Sequence, residues 1–238
     1  MIIKTAWITD KGGRSINDDT VRVLQEHDSA WVFVGDGLGG YAGGKQASQA
    51  AGEALLKASR RGSLLTDAQL LGAASQAEQA VRKVQKDRSG NMKTTLVFLV
   101  IEDGRARWMH VGDSRLYHFH DGALRCQTMD HSVSQMAVLM GEITPQEIRF
   151  HEDRNRVLRA LGGENATPDL SPTTMLTGGQ EAFLLCTDGF WEYVYESEME
   201  QTLNQAKDPQ QWLDSMVTIL RSRVPGDNDN FTAAVVFC

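Results

Sequence analysis

The chain has 238 residues, 41% of them apolar and 23% charged, which is the composition of a folded globular protein long enough to bury a sizeable core. Its formal net charge of −7 argues against nucleic-acid binding as a primary role. No apolar run approaches membrane-spanning length.

In chain order, Ile2 to Thr9, Thr20 to Gln25 and Ala30 to Val34 read as strands. Two Ala-rich stretches, Gly43 to Arg61 and Asp67 to Lys86, have helical spacing. Met92 to Ile101 is strongly β-prone. Arg107 to Val111 and Arg115 to His120 follow as strands, and Asp121-Gly122 is a hairpin turn leading into Ala123 to Gln127. From Asp130 to Gly163 the sequence turns polar, Met-rich and irregular, with Pro145 opening a short helical turn. Glu181 to Cys186 resumes β-structure, Gln210 to Arg223 is an amphipathic helix, and Phe231 to Phe237 is the last strand. This is not a βαβα alternation, so an α+β fold with mostly antiparallel sheets is expected. No linker-like stretch or internal repeat interrupts it, so residues 1–238 are read as one domain.

The N-terminus shows no signal-peptide pattern. The three cysteines, Cys126, Cys186 and Cys238, are odd in number and lack ligand spacing, so reduced thiols and a cytoplasmic location are expected. Cys186, inside an apolar strand, reads as a small core residue.

Acidic motifs recur beside the apolar strands: Asn17-Asp18-Asp19, Gly35-Asp36-Gly37, Thr187-Asp188-Gly189 and Asp227-Asn228-Asp229-Asn230. An Asp at the end of a buried strand is costly unless its charge is met. Several such residues, with few basic neighbours, point to hard cations held by oxygen. The two oxygens of the Asp36 carboxylate can bridge two cations, and Gly37 leaves room for its own carbonyl to serve as a ligand; the plain alternative is an Asp-Gly turn. Asp188 repeats that geometry, with Glu192 one helical turn further on. Asp113, in Gly112-Asp113-Ser114-Arg115, is either a further ligand or a turn residue paired with the nearby Arg. Arg14 offers a planar fork for phosphate oxygens, or is a solvated loop residue.

Two patterns point elsewhere. Gly39 to Lys45 matches a phosphate loop, but Gln46 stands where that motif needs Ser or Thr. None of the six histidines forms a zinc-binding helical pair, and only His131 lies among polar residues where the irregular segment begins.

Read in order, these motifs resemble the metal-dependent protein serine/threonine phosphatases of the PP2C (PPM) family. Arg14-x-x-Asn17-Asp18-Asp19 resembles the family's R-x-x-N-E-D, Gly35 to Gly40 its bacterial D-G-M-G-G form, and Gly112 to Arg115 its G-D-S-R. Asp130-His131-Ser132, Arg159 to Gly162, Asp188-Gly189 and Asp229-Asn230-x-Thr232 follow in family order. The resemblance implies a sandwich of two antiparallel sheets flanked by helices, with residues 130–163 as a flap over the site. It implies phosphoserine and phosphothreonine hydrolysis by a metal-activated water, with two Mn2+ or Mg2+ ions and room for a third.

By the same resemblance Asp36 bridges the two ions and Gly37 adds its carbonyl. Asp188 and Asp229 hold one ion, and Asp18 and Asp19 support the other. Asp113, with Asp188 and Glu192, serves the third. Arg14 holds the phosphoryl group, and His131 is a substrate-facing candidate on the flap. The implied partners are a phosphoprotein substrate and an opposing bacterial Ser/Thr kinase, in some cases within a secretion-system switch, with neither nucleic acid nor membrane; a monomer is expected. Two departures stand out: Asp18 replaces the usual Glu, and Leu38 stands where eukaryotic relatives carry a His proposed as general acid. A degenerate, phosphoprotein-binding module is the competing reading, disfavoured because Asp36, Asp188 and Asp229 are all present.

Overall fold

Most strands here are rich in bulky apolar residues, and together they form two antiparallel sheets packed face to face. The computed structural model describes residues 2–39, 43–176 and 178–238. Strands β1 (Lys4–Asp10), β2 (Thr20–Gln25), β3 (Ala30–Gly35) and the short β4 (Gly37–Leu38) lead into helices α1 (Gly43–Ser59) and α2 (Asp67–Arg88). Then come β5 (Lys93–Thr94), β6 (Leu96–Glu102), β7 (Arg105–Val111), β8 (Arg115–His120) and β9 (Ala123–Gln127). After α3 (Val133–Leu139) and a 3-10 turn (Pro145–Phe150) lie β10 (Asp169–Leu170), β11 (Thr174–Met175) and β12 (Glu181–Cys186). Helices α4 (Asp188–Trp191), α5 (Glu196–Leu203) and α6 (Pro209–Arg223) precede the last strand, β13 (Phe231–Phe237). One sheet runs β1-β13-β12-β8-β9; the other runs β10-β7-β6-β3-β2, with β11 also on β7. β4 and β5 form a separate pair.

Three apolar cores result. Between the sheets, Val32, Val34, Val97 and Leu99 meet Phe183, Leu185, Ala234 and Val236. Phe33, Phe98 and Val100 face the other way, onto Ala51 and Leu55 of α1 and Leu70 and Ala77 of α2. Leu184 and Val235 cover Met199 of α5 and Trp212, Leu213 and Met216 of α6. The layering is helix, sheet, sheet, helix. The central strands are therefore buried on both faces, which is why β6 and β13 read as continuous apolar runs rather than alternating ones. Each large side chain so buried contributes about 1.5–3 kcal/mol.

The expected strands β2, β8, β9, β12 and β13 have the predicted bounds. At the β8–β9 hairpin Asp121 and Gly122 have φ of 49° and 77°, the left-handed pair that a two-residue turn of this kind requires. The single strand expected from Met92 is instead two, broken at Thr95, whose N–H turns aside to the Asp36 carbonyl (2.9 Å). Helix α5 and the two-residue strands β10 and β11 were not foreseen. Residues 130–163 hold α3 and the 3-10 turn, and are tied to the body by bridges at Ser132↔Val157 and Thr94↔Leu161. The phosphate-loop pattern runs through residues 40–42, and the glycine motif ends at 40; these residues lie outside the described ones. Among the described residues no helix is long and apolar enough to cross a membrane.

Candidate metal centre

Asp36 sits where β3 ends, and its backbone is pinned three times. Its N–H donates to Thr95 Oγ1 (2.8 Å), and its carbonyl accepts from Thr94 Oγ1 and Thr95 N–H (both 2.9 Å). The chain can then pass Gly37 only because α1 begins with glycine: a Cβ on Gly44 would be driven into the Gly37 carbonyl. Asp18 joins the same corner, its Oδ1 accepting from Lys45 N–H in the first turn of α1 (2.9 Å).

Asp188 opens α4 at the end of β12, and its Oδ1 accepts from Gly189 N–H (2.7 Å). Asp229 lies just before β13, with Asn230 N–H on its Oδ1 (2.8 Å) and the Arg14 guanidinium on its Oδ2 (2.9 Å). Asn230 ties the loops together: its Oδ1 accepts from Asp18 N–H, and its Nδ2 donates to the Lys11 and Ile16 carbonyls. Beneath them Asp19 is 1% exposed and takes a hydrogen bond from Thr187 Oγ1 (2.8 Å) on its Oδ2. Asp113 is 2% exposed, and its carbonyl accepts from Trp191 Nε1 (2.9 Å).

The electrostatics mark these acids as one group. Burial, then repulsion from Asp19 and Asp188, holds the Asp36 carboxyl well above the ordinary carboxylate range. Burial, then Asp113 and Glu192, does the same to Asp188. Both keep a solvent-facing edge, so packing and like charge act together. Burial raises Asp19 to about 6, and burial with the nearby Asp130 raises Asp113 to about 7. Asp19 Oδ1 and Asp113 Oδ1 are buried without any hydrogen-bond partner. Unpaired buried oxygens among mutually repelling carboxylates are what a divalent cation relieves, and every donor here is a hard oxygen. The residues present therefore fit Mn2+ or Mg2+.

Two hollows open onto these groups. One, about 340 Å³, is lined by Asp18, Asp36, Gly37, Leu38, Arg14 and Asp229 among others. The other, about 210 Å³, lies across Arg14 and Asp229 and reaches Asp188 and Glu192. Arg14 is thus shared by both, in an ion pair rather than free in a loop. Glu192 is held by Arg154 from the 130–163 segment (2.9 Å), which links that segment to the acidic floor.

Arg115 is not the partner of Asp113 that the local sequence suggests. It makes a two-pronged pair with Asp130 (2.8 and 2.7 Å) and stacks 3.5 Å over the Trp191 ring. His131 lines neither hollow. Its N–H donates to the Gly112 carbonyl (2.8 Å) and its Nδ1 accepts from Gly112 N–H (3.1 Å).

Among the described residues, the three ligand atoms that fall within 4.8 Å of one another belong to His110, His131 and Asp169, not to the acidic group. The hydrogen bonds argue against a cation there. With His131 Nδ1 accepting, the proton sits on Nε2, which faces Asp169 Oδ2 at 3.2 Å as a donor. Sequence reasoning passed over Thr94, Thr95, Thr187 and Gly44; the hydroxyls flank strand ends and Gly44 belongs to a paired glycine, weak signals until the chain is folded.

The protein phosphatase 2C family profile matches residues 12–225. The serine/threonine phosphatase stp of Listeria monocytogenes is 30% identical over 240 residues, covering 96% of this chain and 93% of its own. A crystal structure of the catalytic domain of the serine/threonine phosphatase PstP, in complex with two manganese ions, superposes with a TM-score of 0.82 at 30% identity, covering 99% of this chain and 97% of that one. PppA, described as a key regulatory component of T6SS in Pseudomonas aeruginosa, superposes with a TM-score of 0.81 at 29% identity, covering 99% and 97%.

Proposed function

Because this chain belongs to the protein phosphatase 2C family, we propose that its acidic centre hydrolyses phosphoserine and phosphothreonine in proteins with two divalent cations bound. The observation that carries this is the convergence of Asp36, Asp188, Asp19 and Asp113, with raised carboxyl pKa values and orphaned oxygens, beside an Arg that opens to both hollows.

Asp36 would serve both cations, with the Gly37 carbonyl beside it. Asp188 and Asp229 would complete one site. Asp18 and Asp19 would support the other, and Asp113 with Asp188 and Glu192 would serve a third. When bound, the cations supply Lewis acidity and lower the pKa of water toward neutrality. The chain itself supplies rigidity and charge. Thr94 and Thr95 fix the Asp36 backbone, Asn230 fixes the loop that carries Arg14 and Asp18, and the Arg14 fork faces the phosphoryl oxygens. Leu38 has no proton to give, so the serine or threonine leaving group takes its proton from elsewhere than this side chain.

The substrate is a phosphoprotein and its source an opposing Ser/Thr kinase in the cytoplasm; the likeness to PppA supports a setting in secretion-system regulation. We assign the chain as a monomer. Hydrolysis of a phosphothreonine peptide by the metal-stripped protein, with and without Mn2+ or Mg2+, tests the reading. Turnover is expected only with added cation, and full turnover in excess chelator would defeat it.

A further inference from the structure

A third cleft, about 640 Å³, runs between the β4–β5 pair and the 130–163 segment. It shares Leu38 and Gly39 with the hollow that holds Asp36 and Arg14, so the two adjoin at those residues. A phosphorylated side chain seated at Asp36 and Arg14 would lead its flanking peptide over Leu38 and into this cleft.

The chemistry of the walls is specific. Lys93, paired with Leu38 across β4–β5, is half-buried and makes no ion pair among the described residues. Arg156, on the opposite wall, has a side chain 68% exposed and is paired only with its near neighbour Asp153. Glu164 is the one acidic residue among those lining it. Asn91 and Asn165, both exposed, can meet a peptide backbone, and Leu158, 54% exposed, offers an apolar contact. In a chain of net charge −7, the residues lining this cleft carry two cations to one anion, with Asp153 behind Arg156 as its partner.

We propose that the cleft seats the residues flanking the phosphoserine or phosphothreonine, and that Lys93 and Arg156 select substrates with acidic flanks. The proposal rests on the acidic centre being the phosphoryl site. Lys93 and Arg156 act as rim charges: they are partly solvated, so they favour one sign of partner and weaken as salt rises.

The test compares three phosphothreonine peptides, alike except for Glu, Ala or Lys on either side of the phosphoresidue, with p-nitrophenyl phosphate as a fourth substrate. All are assayed with Mn2+ at low salt, on the wild type and on Lys93→Glu/Arg156→Glu. The wild type is expected to favour the Glu peptide over the Lys peptide by about tenfold in kcat/KM, the product of several exposed charge contacts. The double variant is expected to invert that order, which a merely structural role for these residues would not do. A wild-type ratio within about twofold of unity, or a preference that survives charge reversal unchanged, overturns the proposal while leaving the phosphatase reading intact. If the wild type hydrolyses neither the peptides nor p-nitrophenyl phosphate, the phosphatase reading itself fails and the proposal falls with it.

Discussion

Asp113→Asn should make the metal-free protein more stable, by an amount that grows with pH. In the fold the Asp113 carboxyl is raised from 3.8 to about 7, by burial first and then by Asp130. A group whose folded pKa is raised contributes fully below its unfolded value, and that contribution is lost as pH rises through the folded one. The window is therefore pH 4 to 8. At 1.36 kcal/mol per unit, the raised carboxyl costs the fold about 4 kcal/mol at pH 8, where it is ionised, but only about 1.5 at pH 5, where the fold keeps it protonated. Local relaxation and water entry would reduce the difference to ~1.5 kcal/mol, or roughly 3–6 °C in Tm for a chain of this size. Because Asn bears no charge, the Tm gap between Asp113→Asn and wild type, measured in chelator, should widen by that amount from pH 5 to pH 8. Saturating Mn2+ should close the gap, since a cation beside the wild-type carboxylate offsets its cost. A gap that stays flat across the pH range would show that Asp113 carries no buried charge penalty and has no need of a cation.

Arg14→Ala should lower kcat/KM on a phosphothreonine peptide by about ten- to a hundredfold through KM, the loss of a charge-assisted hydrogen bond. Because Arg14 is paired with Asp229, its removal should leave Mn2+ affinity unchanged or a few-fold tighter, and weaker binding by calorimetry would mark Arg14 as structural. Gly44→Ala should displace the Gly37 carbonyl, lowering stability by about 1–3 kcal/mol and turnover at least tenfold; a variant with wild-type Tm and rate would contradict the packing described. His131→Ala should slow p-nitrophenyl phosphate and peptide alike, because His131 holds Gly112 beside Asp113 rather than facing substrate. A loss confined to the peptide would instead assign it the leaving-group proton.

The sandwich was legible in the sequence because its strands are buried on both sides, and long apolar runs bounded by Gly and Asp survive any uncertainty of register. The two-residue strands β4, β10 and β11 were not, since pairing by one or two backbone bonds leaves no periodicity to read. Helix α5 was hidden for a related reason: Met199, Thr202 and Leu203 make a stripe of only one turn. At the site, Asp36 and Asp188 could be picked out because each ends an apolar strand and is followed by glycine. The partners that position the acids, Thr95 on Asp36, Thr187 on Asp19 and Asn230 on Asp18, lie from about 60 to more than 200 residues away in sequence from what they hold, so only folding joins them. Arg115 shows the reverse error: two residues from Asp113 in sequence, it reaches past it to Asp130.

The central claim, that one carboxylate serves two cations, is tested most directly by calorimetric titration of Mn2+ into metal-stripped wild type and Asp36→Asn. The wild type should bind two ions tightly, and Asp36→Asn should weaken both together. If Asp36→Asn instead binds two ions with wild-type affinity, Asp36 is not a shared ligand and the metal centre is built from other residues.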